Sequence, residues 1–406
     1  MQLYILNPEY EVVGYIDETE STLWLKKYND VGQCEIYTPC NNEMLEMLQR
    51  GNYVFRYDDD MFCKIETLEI TTDAEQGNYI IATANDVSNI LAGRYPLKRF
   101  THKGTVATYI YRLIDENIIN PTDARRKIAN FVFDTSNFDE LTDTIETTTT
   151  EDDLLQIIMT TCKAHGYGFR LSCDIAAGQL IFRLKKGKNK ATTNSGEYVE
   201  FSPNFSNILS SNYKEDESNY KSVAVILYTN DNGQNVFTIS YDGEEEPQGE
   251  ARRELFINAT GISREVTATE LLNLYPDATT PSTATDMHTT YYIMVDGRKI
   301  DVANVELADT GGATLDMKIT LTDYAFVPLL QEDGKKALAE RKRTQKFNGN
   351  IDIIDTYEYK TDYDIGDIVK IINDYGIEAD ARIVEVMESE DNDNGYTIEP
   401  KYEYQN

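Results

Sequence analysis

Histidine, tryptophan and cysteine are scarce in this 406-residue sequence, and its 38 Lys and Arg face 70 Asp and Glu. The three histidines, His102, His165 and His288, have no second histidine or cysteine at zinc-ligand spacing, so no metal site is expected on them. His165 directly precedes Gly166, where an imidazole suits the carboxyl end of a helix. The five cysteines (Cys34, Cys40, Cys63, Cys162, Cys173) form an odd, sparse set without a CxxC pair, which points to reduced thiols in a chain made in a cytoplasm. MQLYILNPEYEVVG lacks a basic-then-apolar leader, and no run is long enough to span a bilayer. A soluble chain outside the usual export route is expected, without stable membrane insertion. G-x-S-x-G, H-E-x-x-H and phosphate-cradling glycine loops are also missing. Among so many acids no carboxylate pair can be singled out for glycoside hydrolysis, because that reaction depends on spatial separation. No catalytic, cofactor-binding or metal-binding residue is assigned, and no cofactor is expected.

The formal net charge of −32 excludes most proteins that grip nucleic acid, since phosphate binding needs clustered Lys and Arg. It is compatible with a wall past which nucleic acid slides, and equally with solubility alone. Two acidic runs, Asp58-Asp59-Asp60 and Glu388–Asp393, have the composition of calcium loops. The second lacks the ordered ligand spacing of such a loop, and both read as turns between strands. The stretch Asp362–Glu388 is a further acidic segment, a hairpin of strands at Ile368–Ile372 and Ala381–Met387 with Gly366 and Gly376 at turns. The basic cluster Arg341-Lys342-Arg343 follows Lys335-Lys336 and is expected to balance acidic neighbours or meet an acidic partner.

Abundant tyrosine (28 residues), with many Thr, Ile and Val, favours strands. Residues 1–100 alternate short strands with turn signals, broken by a helical piece at Asn41–Gln49. Residues 101–210 mix the two kinds of element. They show a helix from Val106 capped by Thr105, a strand over Lys127–Phe133, a helix Glu151–His165 capped by Thr150, and a hairpin of Tyr167–Cys173 with Gln179–Lys185. Another hairpin pairs Val223–Tyr228 with Asn235–Tyr241. A helix near Ala268–Leu274, a basic-tipped helix Gly334–Arg343, a strand within Phe347–Tyr359 and a final strand Tyr396–Tyr404 follow. The expected fold is α+β, β-rich and multidomain: a β-barrel at 1–100, an α/β domain at 101–210, a second, split barrel at 211–263 and 346–406, and an inserted α/β segment at 264–345.

"YIDETESTLWLKKYNDVGQCEIYTP" (Tyr15–Pro39), "GNYVFRY" (Gly51–Tyr57) and "NDVSNILAGR" (Asn85–Arg94) resemble the opening domain of tail hub proteins of siphovirus-type phages. "GEARRELFINATGIS" (Gly249–Ser263) and "DYDIGDIVKI…GIEADARIVEVME…YTIEP" resemble the end of the same family. These motifs carry no chemistry; their order along the chain makes the likeness specific. The resemblance implies a homotrimer in which each subunit contributes two β-barrel domains to a ring. The implied partners are a hexameric distal tail protein, the end of the tape measure protein, and fibres, a spike or receptor-binding proteins. DNA would pass through the lumen without specific binding, in a virion tail tip assembled in the host cytoplasm. Some relatives carry a C-terminal peptidase or lysin; with Asn406 just after the signature, none is expected here. Two other classes stand beside this one: a cell-wall hydrolase or peptidase, and a module binding host glycans through exposed tyrosines.

Overall fold

Period-two alternation in the first hundred residues becomes seven strands in the computed structural model, which describes residues 1–73, 77–149, 152–192, 197–203, 208–280, 288–306, 318–351, 357–373, 375–392 and 395–404. The strands are β1 (Leu3–Leu6), β2 (Val12–Ile16), β3 (Ser21–Lys27), β4 (Gln33–Pro39), β5 (Tyr53–Phe55), β6 (Phe62–Asp73) and β7 (Gly77–Asp86). Every second residue of β3 and β4 turns inward, placing Trp24, Cys34 and Ile36 in a core with Leu3, Ile5, Val54 and Ile80. Helix α1 (Asn42–Met47) starts where the Asn41 side chain accepts the Met44 N–H at 2.8 Å, and it seats Met47 in the same core.

The mixed region contains β8 (Thr101–Thr105), α2 (Val106–Ile114), β9 (Phe131–Phe133), β10 (Thr144–Thr148), α3 (Leu154–His165), β11 (Tyr167–Asp174) and β12 (Gln179–Lys186). Thr105 caps α2 as expected, its hydroxyl accepting the Thr108 N–H. The strand expected over Lys127–Phe133 is confined to β9. Helix α3 begins at Leu154, later than expected, because the Asp153 carboxylate accepts the N–H groups of both Leu155 and Gln156. Thr150 and Glu151 lie outside the described residues. The helix ends on Gly166 at φ 68°, the left-handed conformation its position in the sequence predicts. Strands β11 and β12 form the expected hairpin, and α2, α3 and these strands enclose Leu113, Ile158, Phe169 and Phe182.

The rest of the chain adds β13 (Glu200–Phe201), β14 (Ile208–Asp216), β15 (Val223–Thr229), β16 (Asn235–Tyr241), β17 (Glu254–Asn258), β18 (Glu265–Thr267), α4 (Ala268–Leu274), β19 (His288–Val295), β20 (Arg298–Glu306), β21 (Lys318–Leu321) and α5 (Asp323–Ala339). It closes with β22 (Thr344–Ile351), β23 (Ile368–Ile372), β24 (Glu378–Asp391) and β25 (Gly395–Tyr404). The strand expected within Phe347–Tyr359 is β22; residues 352–356 lie outside the described residues. Helix α5 corrects the basic-tipped helix expected at Gly334–Arg343. It starts at Asp323 and runs through Pro328, because Ala325, Phe326, Leu329, Leu330 and Leu338 give it one continuous buried face. It stops before the basic cluster, where Arg341 donates to the Ala337 carbonyl at 3.0 Å.

Two expectations about the β units are overturned. Within residues 211–263, β14 does pair with β22, but strands β15–β17 do not join the sheet of residues 346–406. They form a separate sheet, β16-β15-β17, whose Ala224 and Ile226 pack on α5 at Gly334 and share a core with Leu271, Val302 and Phe326. Nor does any sheet close into a barrel among the described residues. One sheet runs β14-β22-β25-β24-β3-β4-β7-β6-β5-β1-β2 and stays open at both ends, with β23 and β13 branching from β24. The reason lies in β24, whose 14 residues are shared. Residues 378–382 pair with β23, while 385–391 pair with β3, from Glu385 opposite Lys27 to Asp391 opposite Ser21. The edge that would close the terminal unit on itself is thus occupied by the N-terminal unit.

Tyr28, just past β3, locks this arrangement. Its backbone N–H donates to Val384 at 2.8 Å, its carbonyl accepts from Phe169 at 3.1 Å, and its hydroxyl donates to the Lys185 carbonyl at 2.9 Å. Its ring lies against Gly168 and Gly366, where a Cβ at either position would overlap it. Gly366 also holds φ 95°, outside the range of other residues. Gly366→Ala is expected to destabilise the protein by about 2–4 kcal/mol, from backbone strain plus overpacking. A denaturant midpoint unchanged by this substitution would count against the wedge role of Tyr28.

Candidate functional site

Pairing β24 with β3 carries Glu388 opposite Trp24, where it is 1% exposed. An uncompensated carboxylate in such a place is strongly destabilising. Arg56, just after β5, supplies the opposite charge: its Nη1 donates to Glu388 at 2.9 Å, and the Tyr396 hydroxyl donates to the same oxygen at 2.5 Å. Arg56 also pairs with Asp58 at 2.5 Å and lies 5.5 Å from the Trp24 ring centroid. Beside it the fully buried Asp59 carboxylate meets Lys26 at 3.1 Å and Lys360 at 2.8 Å, and Lys360 reaches Glu388 at 3.8 Å. Lys26 pairs with Asp60 at 2.5 Å. From β11, Arg170 binds Asp86 and donates to the Lys27 carbonyl at 2.9 Å. One ionic junction therefore ties the N-terminal unit, the α/β unit and the terminal β unit together.

The electrostatics follow from that geometry. Burial pushes the Asp59 carboxyl up, but Lys26 and Lys360 outweigh burial and hold it well below the usual carboxylate range. Asp60 behaves likewise under Lys26 and Arg170, and hydrogen bonding to Arg56 lowers Asp58. Burial pulls the Lys26 ammonium down, yet Asp59 and Asp60 leave it raised.

Both acidic runs picked out in the sequence enter this junction, although they lie more than 300 residues apart in the chain. The first is the expected turn, with Asp59 accepting the Met61 N–H at 2.9 Å. The second is not a turn: Glu388–Asp391 belong to β24, because Glu388 is drawn inward to Arg56; Asp393 lies outside the described residues. The cations Lys26, Arg56 and Lys360 were not singled out in the sequence. Lys26 had one signal, a charge at the inward parity of β3 after Thr22 and Trp24. The three histidines are not brought together. His102 lies 3.2 Å from the Thr105 carbonyl, His165 closes α3, and the side chain of His288 is outside the described part. No group of three metal-ligating side chains occurs among the described residues, and no described helix is long and apolar enough to cross a membrane. Cys34, Cys63 and Cys162 are buried free thiols; burial pushes Cys34 up to about 12. Lys342 and Arg343 pair with Asp242 and Glu217, as expected for balancing charges.

One apolar surface is left open. The inner face of the β16-β15-β17 sheet packs on α5, while the outer face presents Val225, Leu227 and Ile239 beside Phe237 and Phe256, which are 62% and 61% exposed.

Glu388→Ala leaves Arg56 buried and partly uncompensated, and is expected to cost about 3–5 kcal/mol, read as a lower denaturant midpoint. The pH dependence has a defined sign. The lowered folded pKa values of Asp58, Asp59 and Asp60 give stability that is complete above the ordinary carboxylate range, about pH 4, and lost as pH falls through the folded values. The raised Lys26 gives stability complete below about pH 10 and lost as pH rises through its folded value. Thermal midpoints should therefore fall in acid as pH drops below about 4, and Asp59→Asn should flatten that acid limb. An acid limb unchanged by that substitution would remove Asp59 from the linkage.

A comparison with curated proteins found no match. Among solved structures, the chain is similar to the tail protein from Neisseria meningitidis MC58, at 12% identity over 99% of this chain and 96% of that one, with a TM-score of 0.49. It is also similar to the 43 kDa tail protein of prophage MuSo2 from Shewanella oneidensis, at 9% identity over 99% and 98%, with a TM-score of 0.48. A third is prophage tail protein gp18 from Listeria monocytogenes EGD-e, at 12% identity over 100% and 95%, with a TM-score of 0.42. The sequence profile of the family described as Siphovirus ReqiPepy6 Gp37-like protein matches residues 2–402. The chain belongs to that family of siphovirus tail proteins.

Proposed function

We propose that three copies of this chain form a hub ring that closes the distal end of the siphovirus tail tube and opens for DNA ejection. The observation that carries this reading is the β24–β3 pairing, which sets the two terminal β units edge to edge in one sheet. Each chain then brings two joined β blocks, and a closed ring of three brings six, matching a hexameric distal tail protein above. The tape measure protein ends against this ring, and fibres, a spike or receptor-binding proteins attach below. In this reading residues 1–100 and the β segments after 346 are the two hub blocks of each chain. The α/β units at 101–210 and 264–345 stand outside them, the second together with β15–β17.

Two further features support the reading. The apolar face around Phe237 and Phe256 suits a contact within a large assembly. The net charge of −32 suits a channel past which DNA moves without being held, since each axial step of about 1.7 Å brings another phosphate charge. The role is mechanical and assigns no residue to catalysis. It places the protein in the virion tail tip after assembly in the host cytoplasm.

Sedimentation and electron microscopy of the purified chain, alone and with the distal tail protein, test the reading. The expected result is a threefold ring of three chain masses with a central channel. A chain that stays monomeric with the distal tail protein present, or closes with another symmetry, overturns it.

A further inference from the structure

Strand β2 is an open edge. Among the described residues it pairs only with β1, and its sequence VVGYI contains neither the lysine nor the proline that commonly blunts such an edge. Val12, Val13 and Tyr15 are each about half exposed. Residues 13–16 of the strand border an open cleft of about 1090 Å³, and the β2 edge beside it has no strand partner other than β1 among the described residues. The opposite walls are α1, with Met47 packed against Gly14, and the end of β24 at Glu390.

The charge of the cleft has one sign. No Lys or Arg lines it, and the wall residues Asp17, Glu18, Glu43 and Glu46 are exposed and make no ion pair among the described residues. This contrasts with the junction, where the carboxylates meet cations. From these observations we propose that the cleft receives an extended, lysine- or arginine-rich polypeptide segment of another protein. The segment adds to β2 as a further strand, and its basic side chains meet the acidic walls. Backbone pairing supplies register and the charges supply selectivity. The five residues of β2 offer about 17 Å of edge, enough for a short strand. The choice of a basic segment rests on the wall carboxylates, which attract Lys and Arg side chains at contact range. The inference stands apart from the hub reading, since the cleft belongs to the single chain and is tested on it directly.

Fluorescence anisotropy of the full chain with a labelled ten-residue peptide alternating lysine and valine is the test. Controls are the same peptide with glutamate for lysine, and two lysine peptides N-methylated on alternate amides in either register. The lysine peptide should bind, weaken with added salt, and lose about tenfold in affinity when one of the two methylation registers blocks the edge. The exposed triple variant Glu18→Gln/Glu43→Gln/Glu46→Gln, with its thermal midpoint retained, should lose about fivefold to tenfold. Equal binding of the glutamate peptide, equal binding of both methylated peptides, or no binding at low salt overturns the proposal. Self-association of the chain that displaces bound peptide as protein concentration rises would assign the cleft to a second copy and overturn it as well.

Discussion

Every charge buried where β24 meets β3 must find its opposite, and much of the architecture depends on that requirement. Arg56 and Lys26 come from the first sixty residues, whereas Glu388 and Lys360 come from the last fifty. Desolvating such groups costs several kcal/mol each, which only close counter-charges and hydrogen bonds recover. Half of the pairings are therefore missing until the C-terminal segment docks. The N-terminal unit has its own apolar core around Trp24 and Leu3 and pairs Lys26 with Asp59 and Asp60 and Arg56 with Asp58, but on its own it lacks the Glu388 partner of Arg56 and the Lys360 partner of Asp59. The two ends of the chain are thus coupled through electrostatics as well as through the sheet, and the α/β unit enters the same network through Arg170.

Steric fit works beside charge at this junction. The Tyr28 ring occupies space that two glycines vacate, one in β11 and one before β23, so three segments distant in sequence converge on one side chain. The DYDIG motif thereby acquires a physical meaning. Gly366 makes room for the ring, while Asp367 accepts the Lys188 N–H at 2.8 Å and pairs with Lys190 at 3.4 Å. The acidic hairpin around it is not a free negative surface either. Asp364, Glu378, Asp380 and Glu385 meet Lys185, Lys370 and Lys401, and Glu388 meets Arg56.

What the sequence disclosed follows the range of the interaction involved. Alternation in β3 and β4, the Thr105 cap, the Gly166 stop and the hairpin of β11 with β12 are set by residues within a few positions of one another, and each was legible. The start of α5 was obscured by Pro328, a local helix breaker outweighed by a buried face that only tertiary packing reveals. The assignment of β15–β17 failed for the same reason, since their strand pattern does not say whether α5 or the terminal sheet will cover them. Least legible was the junction. Glu388 and Asp59 read as turn formers because Asp and Glu in clusters usually are, and nothing near them announces a cation three hundred residues away. Lys26, at an inward position of an apolar strand, was the one residue whose local pattern contradicted its charge.

The acids of this chain consequently divide into two populations with different physics. Those at the junction and in the terminal hairpin are spent on holding units together, and their charge is largely cancelled where it sits. Asp17, Glu18, Glu43 and Glu46, around β2 and α1, make no ion pair among the described residues and lie on surface that the fold leaves open. A net charge of −32 is therefore not a uniform coating. Screening shortens its reach to about 8–10 Å at physiological ionic strength, so it acts on whatever comes into contact rather than at a distance. In a tail protein that separates two demands. The internal pairs keep two β blocks in fixed register, and the carboxylates without an ion pair among the described residues set the charge that a contacting surface meets.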